Sequence, residues 1–171
     1  MTAAETIRMF LANAAKAAAG THEVDGMEGL RRALPGIVPA ESAVYCPGIT
    51  ATEQALAGVF PHPAAEYGGA QVTVEEVFGA VAETGSIACA SAGGRALQAS
   101  LLPSHHIAIV PRERIFATLD DLFADFAGAP PTNLTLVTGP SRTADIELTL
   151  AIGVHGPEKL DLIVYGSEGD A

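Results

Sequence analysis

Short runs of almost uninterrupted apolar residues recur along this chain and are separated by segments with helix-start signals. Such runs occur at residues 43–46, 86–91, 107–110, 134–138 and 160–165. Strands covered by other elements on both faces have this composition, whereas strands with one solvent face alternate. Strands and helices in turn predict an α/β fold: a single-domain, Rossmann-like, mostly parallel sheet with right-handed crossovers, flanked by helices.

A threonine followed three residues later by an acidic residue marks four helix starts. The hydroxyl can accept from a free backbone N–H, and the acid lies near the positive end of the helix dipole. The four threonines are Thr2, Thr50, Thr73 and Thr118. We therefore predict a helix after each, the third over residues 74–82, and a long loop over the proline-containing stretch FPHPAAEYGG.

Residues 146–152 alternate between apolar and polar types like a strand, yet they follow a Gly-Pro-Ser turn in which Ser141 is typical of a helix cap. We predict a helix. A crossover is needed to bring the strand at 160–165 parallel to that at 134–138, and little else in the gap can supply it.

The charge of the chain argues against two classes of partner. The 171 residues carry 20 acidic and 9 basic side chains, a formal charge of −11, which repels nucleic acid and anionic membranes. No segment approaches the roughly 18 continuous apolar residues of a membrane span, and the N-terminus lacks the features of a secretory signal. We expect one soluble, cytoplasmic domain over residues 1–171.

The stretch GPSRTADIE at 139–147 predicts an anion site. If it follows a strand and begins a helix, its backbone N–H groups and Arg142 can receive a carboxylate or phosphate beyond the strand's carboxyl end. The alternative is structural: Ser141 only caps the helix, and Arg142 pairs with Asp145 or Glu147 one turn away.

Three other groups are candidates for chemistry. Glu83, followed by Thr84-Gly85-Ser86, is either a buried acid, base or nucleophile or a solvated residue where a helix ends. His155, between glycines, can face the same crevice as Ser141. His105 and His106 are adjacent, so on a strand they point to opposite faces and cannot easily share a metal. We predict no metal site.

Four segments resemble one family. AVAETGSIA at 80–88, LLPSHHIAIVP at 101–111, TGPSRTADIE at 138–147 and GVHGPEKLDLIVY at 153–165 are similar, in order, to the lactate-utilisation protein C family (LutC/YkgG, LUD domain). The resemblance covers residues 70–166, and the part before residue 70 is shorter than expected of a full-length member. It implies a sheet of the NagB/RpiA/CoA-transferase-like superfamily.

The resemblance also implies a role in oxidising L-lactate to pyruvate, as one subunit of a system whose partners hold the iron–sulfur clusters. Only Cys46 and Cys89 are present, in no paired spacing, so we expect no cofactor on this chain. We expect a small carboxylate or phosphate ligand and allow for a homo-oligomer. The family's motif positions fall on the following residues: Glu83 and His155 as candidate catalytic groups, and Thr84, Gly85, His106, Gly139, Ser141, Arg142, Thr143, Asp145, Glu147 and Gly156 as candidate ligand-binding positions.

Two other functions stay open on the sequence. One is a stand-alone enzyme of the same superfamily acting on a phosphosugar, folate or acyl-CoA, with Glu83 as base or nucleophile. The other is a scaffold whose polar motif serves subunit contact. All three interpretations predict that Glu83, Ser141, Arg142 and His155 converge in space.

Overall fold

A computed structural model describes residues 1–91, 93–126, 128–141 and 156–166. It contains five α-helices and nine strands within those residues. The helices are α1 (Ala3–Lys16), α2 (Gly26–Ile37), α3 (Ala51–Ala55), α4 (Gln98–Leu101) and α5 (Leu119–Asp125). The strands are β1 (Gly20–Val24), β2 (Val44–Tyr45), β3 (Val72–Glu76), β4 (Gly79–Val81), β5 (Ser86–Ala90), β6 (His105–Pro111), β7 (Ile115–Phe116), β8 (Leu134–Val137) and β9 (Lys159–Tyr165).

The strands form two sheets. The larger has five strands in the order β1-β9-β6-β3-β2, with every neighbouring pair parallel. The smaller has the order β7-β4-β5-β8, in which β5 runs antiparallel to both of its neighbours. The prediction of an α/β fold with a mostly parallel sheet flanked by helices is confirmed.

The burial of the central strand β6 explains why its residues 107–110 are all apolar. Ile107 and Ile109 pack with α2 residues Leu30 and Leu34 on one face. Ala108 and Val110 pack with α1 and β5 on the other face. Both faces are covered, so no position on this strand calls for a polar solvent-facing residue.

Three of the four predicted caps form as expected. Thr2, Thr50 and Thr118 each accept from the backbone of the acidic residue three positions on, and that carboxylate accepts in return from the threonine N–H. The helix predicted after Thr73 is wrong, because Thr73 lies inside β3, buried and paired between β2 and β6. Burial of a Val-Thr-Val run in a central strand outweighs a local capping signal.

The end of the chain also departs from expectation. Residues 134–138 and 160–165 were predicted to be parallel strands of one sheet, and this is wrong, because β8 pairs with β5 in the smaller sheet. The helix predicted over 146–152 lies outside the described residues. The predicted loop over 60–69 is confirmed as mostly irregular, with a short 3₁₀ turn at Tyr67–Gly69.

Candidate functional site

Several of the recognised segments meet around the C-terminal end of α1. The Glu-Thr-Gly segment was predicted to follow the end of a helix, and this is wrong. It forms the turn of the β4–β5 hairpin. Asn13 on α1 donates through Nδ2 to the carbonyl oxygens of Ala82 at 2.9 Å and Glu83 at 3.1 Å. Gly85, with φ of +69°, lies so close to α1 that a methyl group there would overlap the backbone of Ala14. The hairpin turn is therefore fixed on the helix end.

A chain of hydroxyl groups joins this turn to the segment after β8. Ser86 Oγ donates to Thr84 Oγ1 at 2.7 Å and lies 2.6 Å from Thr138 Oγ1. Since Ser86 has one O–H, already directed at Thr84, Thr138 is the donor to Ser86. Gly139, with φ of +72°, continues from Thr138 and faces the carbonyl of Ala17. Two segments that lie about fifty residues apart in sequence thus share one polar contact.

Ser141 and Gly156 are also neighbours. The backbone N–H of Ser141 donates to the carbonyl of Pro157 at 2.7 Å, just before β9 begins. The N–H of Lys159 then donates to the carbonyl of Ser104, next to the start of β6. These contacts place the segment at the amino edge of the parallel sheet, not at the carboxyl edge as predicted, because β8 belongs to the other sheet and runs toward that amino edge.

A buried carboxylate lies at the same amino edge. Asp161 accepts from His105 Nε2 at 2.7 Å and His22 Nε2 at 3.0 Å, and Lys159 Nζ lies 3.1 Å away. Burial acts to raise the pKa of Asp161, but the hydrogen bonds from His105, His22 and Lys159 outweigh it and hold that pKa below its ordinary value. Sequence reasoning missed this cluster. The only signal was a lone acidic residue inside the apolar run LDLIV.

The proposed catalytic residues are only partly described. Glu83 is exposed rather than buried, and its Oε1 accepts from the N–H of Leu119 at 2.7 Å, at the start of α5. That position favours the structural interpretation of Glu83, because a carboxylate at a helix start stabilises the free N–H groups there. The remaining predicted site residues lie outside the described residues: Arg142, Thr143, Asp145, Glu147 and His155. Their convergence with Glu83 and Ser141 stays a prediction.

A second polar cluster lies toward the opposite edge. Arg95 forms ion pairs at 2.7 Å with both Glu53 and Glu75, and all three side chains are almost fully buried. Ser100 donates to Glu75, and His106 Nε2 lies 3.1 Å from the same carboxylate. His106, predicted as a ligand-binding residue, is therefore on the other face of β6 from His105, as the alternation of side chains on a strand requires.

Glu53 ties this cluster to two backbone segments. Its carboxylate accepts from the N–H groups of Ile49, Thr50 and Glu76 as well as from Arg95. A cavity of about 410 Å³ adjoins the cluster where β3 and β6 end. The charged residues that line it balance in sign: Glu76, Arg95, Glu113 and Arg114. Both arginines are already paired with carboxylates, so this crevice offers little attraction for an anion.

The pKa of Glu75 is lowered from 4.5 to about 2. Burial acts to raise it, but His106, Ser100 and Arg95 together outweigh burial. A carboxyl group whose pKa is lower in the folded state adds stability above its unfolded pKa, and that stability is lost as the pH falls through the folded pKa.

We therefore expect the free energy of unfolding to fall as the pH drops from 4.5 toward about 2, with Glu75 contributing to the slope. Urea unfolding across this range checks it. In Glu75→Gln the slope is expected to be shallower, whereas Glu41→Gln, at a side chain 95% exposed, should leave it unchanged. Equal slopes in both variants would contradict the assignment.

Neither cysteine has a reactive environment. Burial raises the pKa of Cys89 to about 12 and that of Cys46 to about 11, so both thiols are protonated at neutral pH. Among the described residues, no group of three His, Cys, Asp or Glu side chains is arranged to hold a metal ion. No helix in that part of the chain is both long and apolar enough to cross a membrane.

Comparison with known proteins identifies the family. The model of the LUD domain matches residues 62–165 of the chain, which includes the hairpin turn, the start of β6 and β9. This chain belongs to the LUD domain family. The resemblance seen in the four sequence segments is confirmed.

Three curated relatives of this LUD domain carry the same name. Lactate utilization protein C of Bacillus licheniformis is 38% identical over 107 residues, which is 58% of this chain and 43% of the relative. The proteins of the same name from Shouchella clausii and Bacillus subtilis are 36% and 35% identical, over 49% and 58% of this chain and 39% and 43% of the relatives. The matched region therefore spans about two fifths of the length of these relatives.

A solved structure supports the fold. The crystal structure of a DUF162 family protein from Deinococcus radiodurans superposes with a TM-score of 0.71. It covers 97% of this chain and 99% of its own at 24% identity. The fold of this chain is thus also found in an experimentally determined structure of similar extent.

Proposed function

We propose that this LUD domain acts in L-lactate utilisation as a subunit without a redox group, which binds a small carboxylate or phosphate anion and works with iron–sulfur subunits. The shared name of the curated relatives supports the pathway. The chain has two cysteines, both with raised pKa values, which fits a division of labour in which a partner holds the clusters.

The observation that carries the anion-binding part is the gathering at the amino edge of the parallel sheet. The Ser141 N–H donates to Pro157 just before β9, and the Lys159 N–H donates to Ser104 just before β6, all within the family-matched region. On a chain with a formal charge of −11, the half-exposed ammonium of Lys159, which has N–H donors beyond the one directed at Asp161, is where an anion is attracted.

A growth experiment tests the proposal. Deleting the gene in its native host is expected to abolish growth on L-lactate and leave growth on glucose unchanged, with restoration by a plasmid copy. An affinity-tagged copy is expected to recover a cysteine-rich protein containing iron and acid-labile sulfide. Unimpaired growth on L-lactate after deletion would remove the proposed pathway.

A further inference from the structure

The Asp161 carboxylate is the centre of a cluster of three hydrogen-bond donors. Two ring nitrogens and one ammonium are directed at the two oxygens of a single side chain. The pKa of Asp161 is held low, so the carboxylate is ionised and accepts from all of its neighbours. It follows that Nε2 of His22 carries a hydrogen, and that Nδ1 of a neutral His22 is a hydrogen-bond acceptor.

Only two members of this cluster reach solvent. The side chains of Asp161 and His105 are 6% and 7% exposed, whereas those of His22 and Lys159 are 36% and 59% exposed. Within the described part of the chain, Nδ1 of His22 makes no hydrogen bond, and Lys159 Nζ has further N–H donors beyond the one directed at Asp161. An incoming molecule therefore meets one cationic donor group and, when His22 is neutral, one hydrogen-bond acceptor at its Nδ1.

The first strand brings His22 to this position although it lies outside the family-matched residues 62–165. Gly20 pairs with Asp161 across the sheet, and a methyl group on Gly20 would overlap Asp161 Oδ1. Glycine at this position thus leaves room for the carboxylate to reach His22. β1 completes a group whose other members, His105, Lys159 and Asp161, lie in the matched region.

We propose that Lys159 and His22 bind a small 2-hydroxy carboxylate, with the ligand carboxylate on Lys159 Nζ and the ligand hydroxyl donating to Nδ1 of His22. Asp161 and His105 are positioning residues that fix the imidazole and its tautomer. A carboxylate without a hydroxyl can contact only Lys159. The added hydroxyl, which donates to His22, therefore makes the site selective for 2-hydroxy carboxylates over simple carboxylates. The choice of a lactate-like acid rests on the proposed function. The positions of Lys159 and His22 beside Asp161 come from the structure and do not depend on that function.

The test is an NMR titration of the purified ¹⁵N-labelled chain with L-lactate, propionate and inorganic phosphate, at about pH 8, above the range in which free histidine titrates. L-lactate is expected to shift Nδ1 of His22 and the Lys159 side chain. Propionate, which lacks the hydroxyl, is expected to bind about threefold to tenfold more weakly, as loss of one neutral hydrogen bond implies. Lys159→Met is expected to weaken L-lactate binding at least about tenfold, since a charge-assisted contact is lost.

His22→Gln keeps a side-chain N–H for Asp161 and removes the imidazole. We expect it to fold with an unchanged circular dichroism spectrum and to abolish the difference between L-lactate and propionate. The matched control is His62→Gln, at an exposed imidazole 3.9 Å from Glu41, which should retain that difference.

Three results would overturn the site: no shift at His22 with L-lactate up to about 50 mM, above the millimolar range of weak affinities; equal binding of L-lactate and propionate; or tighter binding of phosphate than of L-lactate. Binding in vitro with normal growth of the deletion strain would overturn the proposed function and leave the site. A growth defect of the deletion strain without L-lactate binding in vitro would overturn the site and leave the proposed function.

Discussion

Replacing Arg95 with methionine is expected to lower the free energy of unfolding by about 3–5 kcal/mol, as found when one partner of a buried ion pair is removed. Arg95 is 8% exposed and supplies both guanidinium contacts to Glu53 and Glu75, which are 0% and 1% exposed. Without it two negative charges remain buried close together. Urea unfolding at neutral pH measures the loss.

A matched control separates this effect from the loss of any arginine. Arg32→Met removes an exposed helical ion pair with Glu28 at 3.7 Å, and exposed pairs contribute little, so a small change is expected. Adding Glu53→Gln and Glu75→Gln to Arg95→Met is expected to recover part of the stability, because the uncompensated charges are then gone. If Arg95→Met resembled Arg32→Met, the cluster would not be an important source of stability.

Gly139→Ala is expected to lower the free energy of unfolding by about 2–4 kcal/mol. About 1 kcal/mol of this comes from the left-handed backbone at φ of +72°, and the rest from the overlap of the new methyl group with the carbonyl of Ala17. The same overlap is expected to displace Thr138 from Ser86. Thermal unfolding measures the first effect and amide exchange of the β5–β8 pair the second.

Gly94→Ala is the control for the backbone term alone. Gly94 has φ of +84°, and a methyl group there meets no atom within 4 Å. It should cost about 1 kcal/mol. Equal losses at Gly139 and Gly94 would show that the contact with α1 is unimportant, and that the hairpin and the segment after β8 are not held together through it.

Local sequence rules predicted the elements that depend on local contacts. The capping boxes at Thr2, Thr50 and Thr118 need only neighbours three residues away, and all three form. The apolar run at residues 107–110 of β6 likewise predicts that this strand is buried on both faces. Thr73 has the same capping pattern but lies in a strand, because its environment is set by β2 and β6, which are distant in sequence.

Residues of the candidate site could be predicted only where a motif lies within one continuous segment of the sequence. The motif residues from Glu83 to Gly156 were recognised from short sequence segments, and the structure brings Ser141 and Gly156 together just before β9. The predicted edge of the sheet was wrong, since it depended on which sheet β8 joins. No pattern in the sequence linked His22 to Asp161, which lie 139 residues apart.

The sequence by itself determined the α/β class, three helix starts, five of the strands and the family. The tertiary structure alone decided that there are two sheets, that Arg95 is buried between two carboxylates, and that β1 carries His22 to Asp161. The physical reason is the distance along the sequence over which each interaction acts. Capping and apolar burial act through adjacent residues or through composition, whereas strand pairing and charge compensation depend on segments that meet only after the chain has folded.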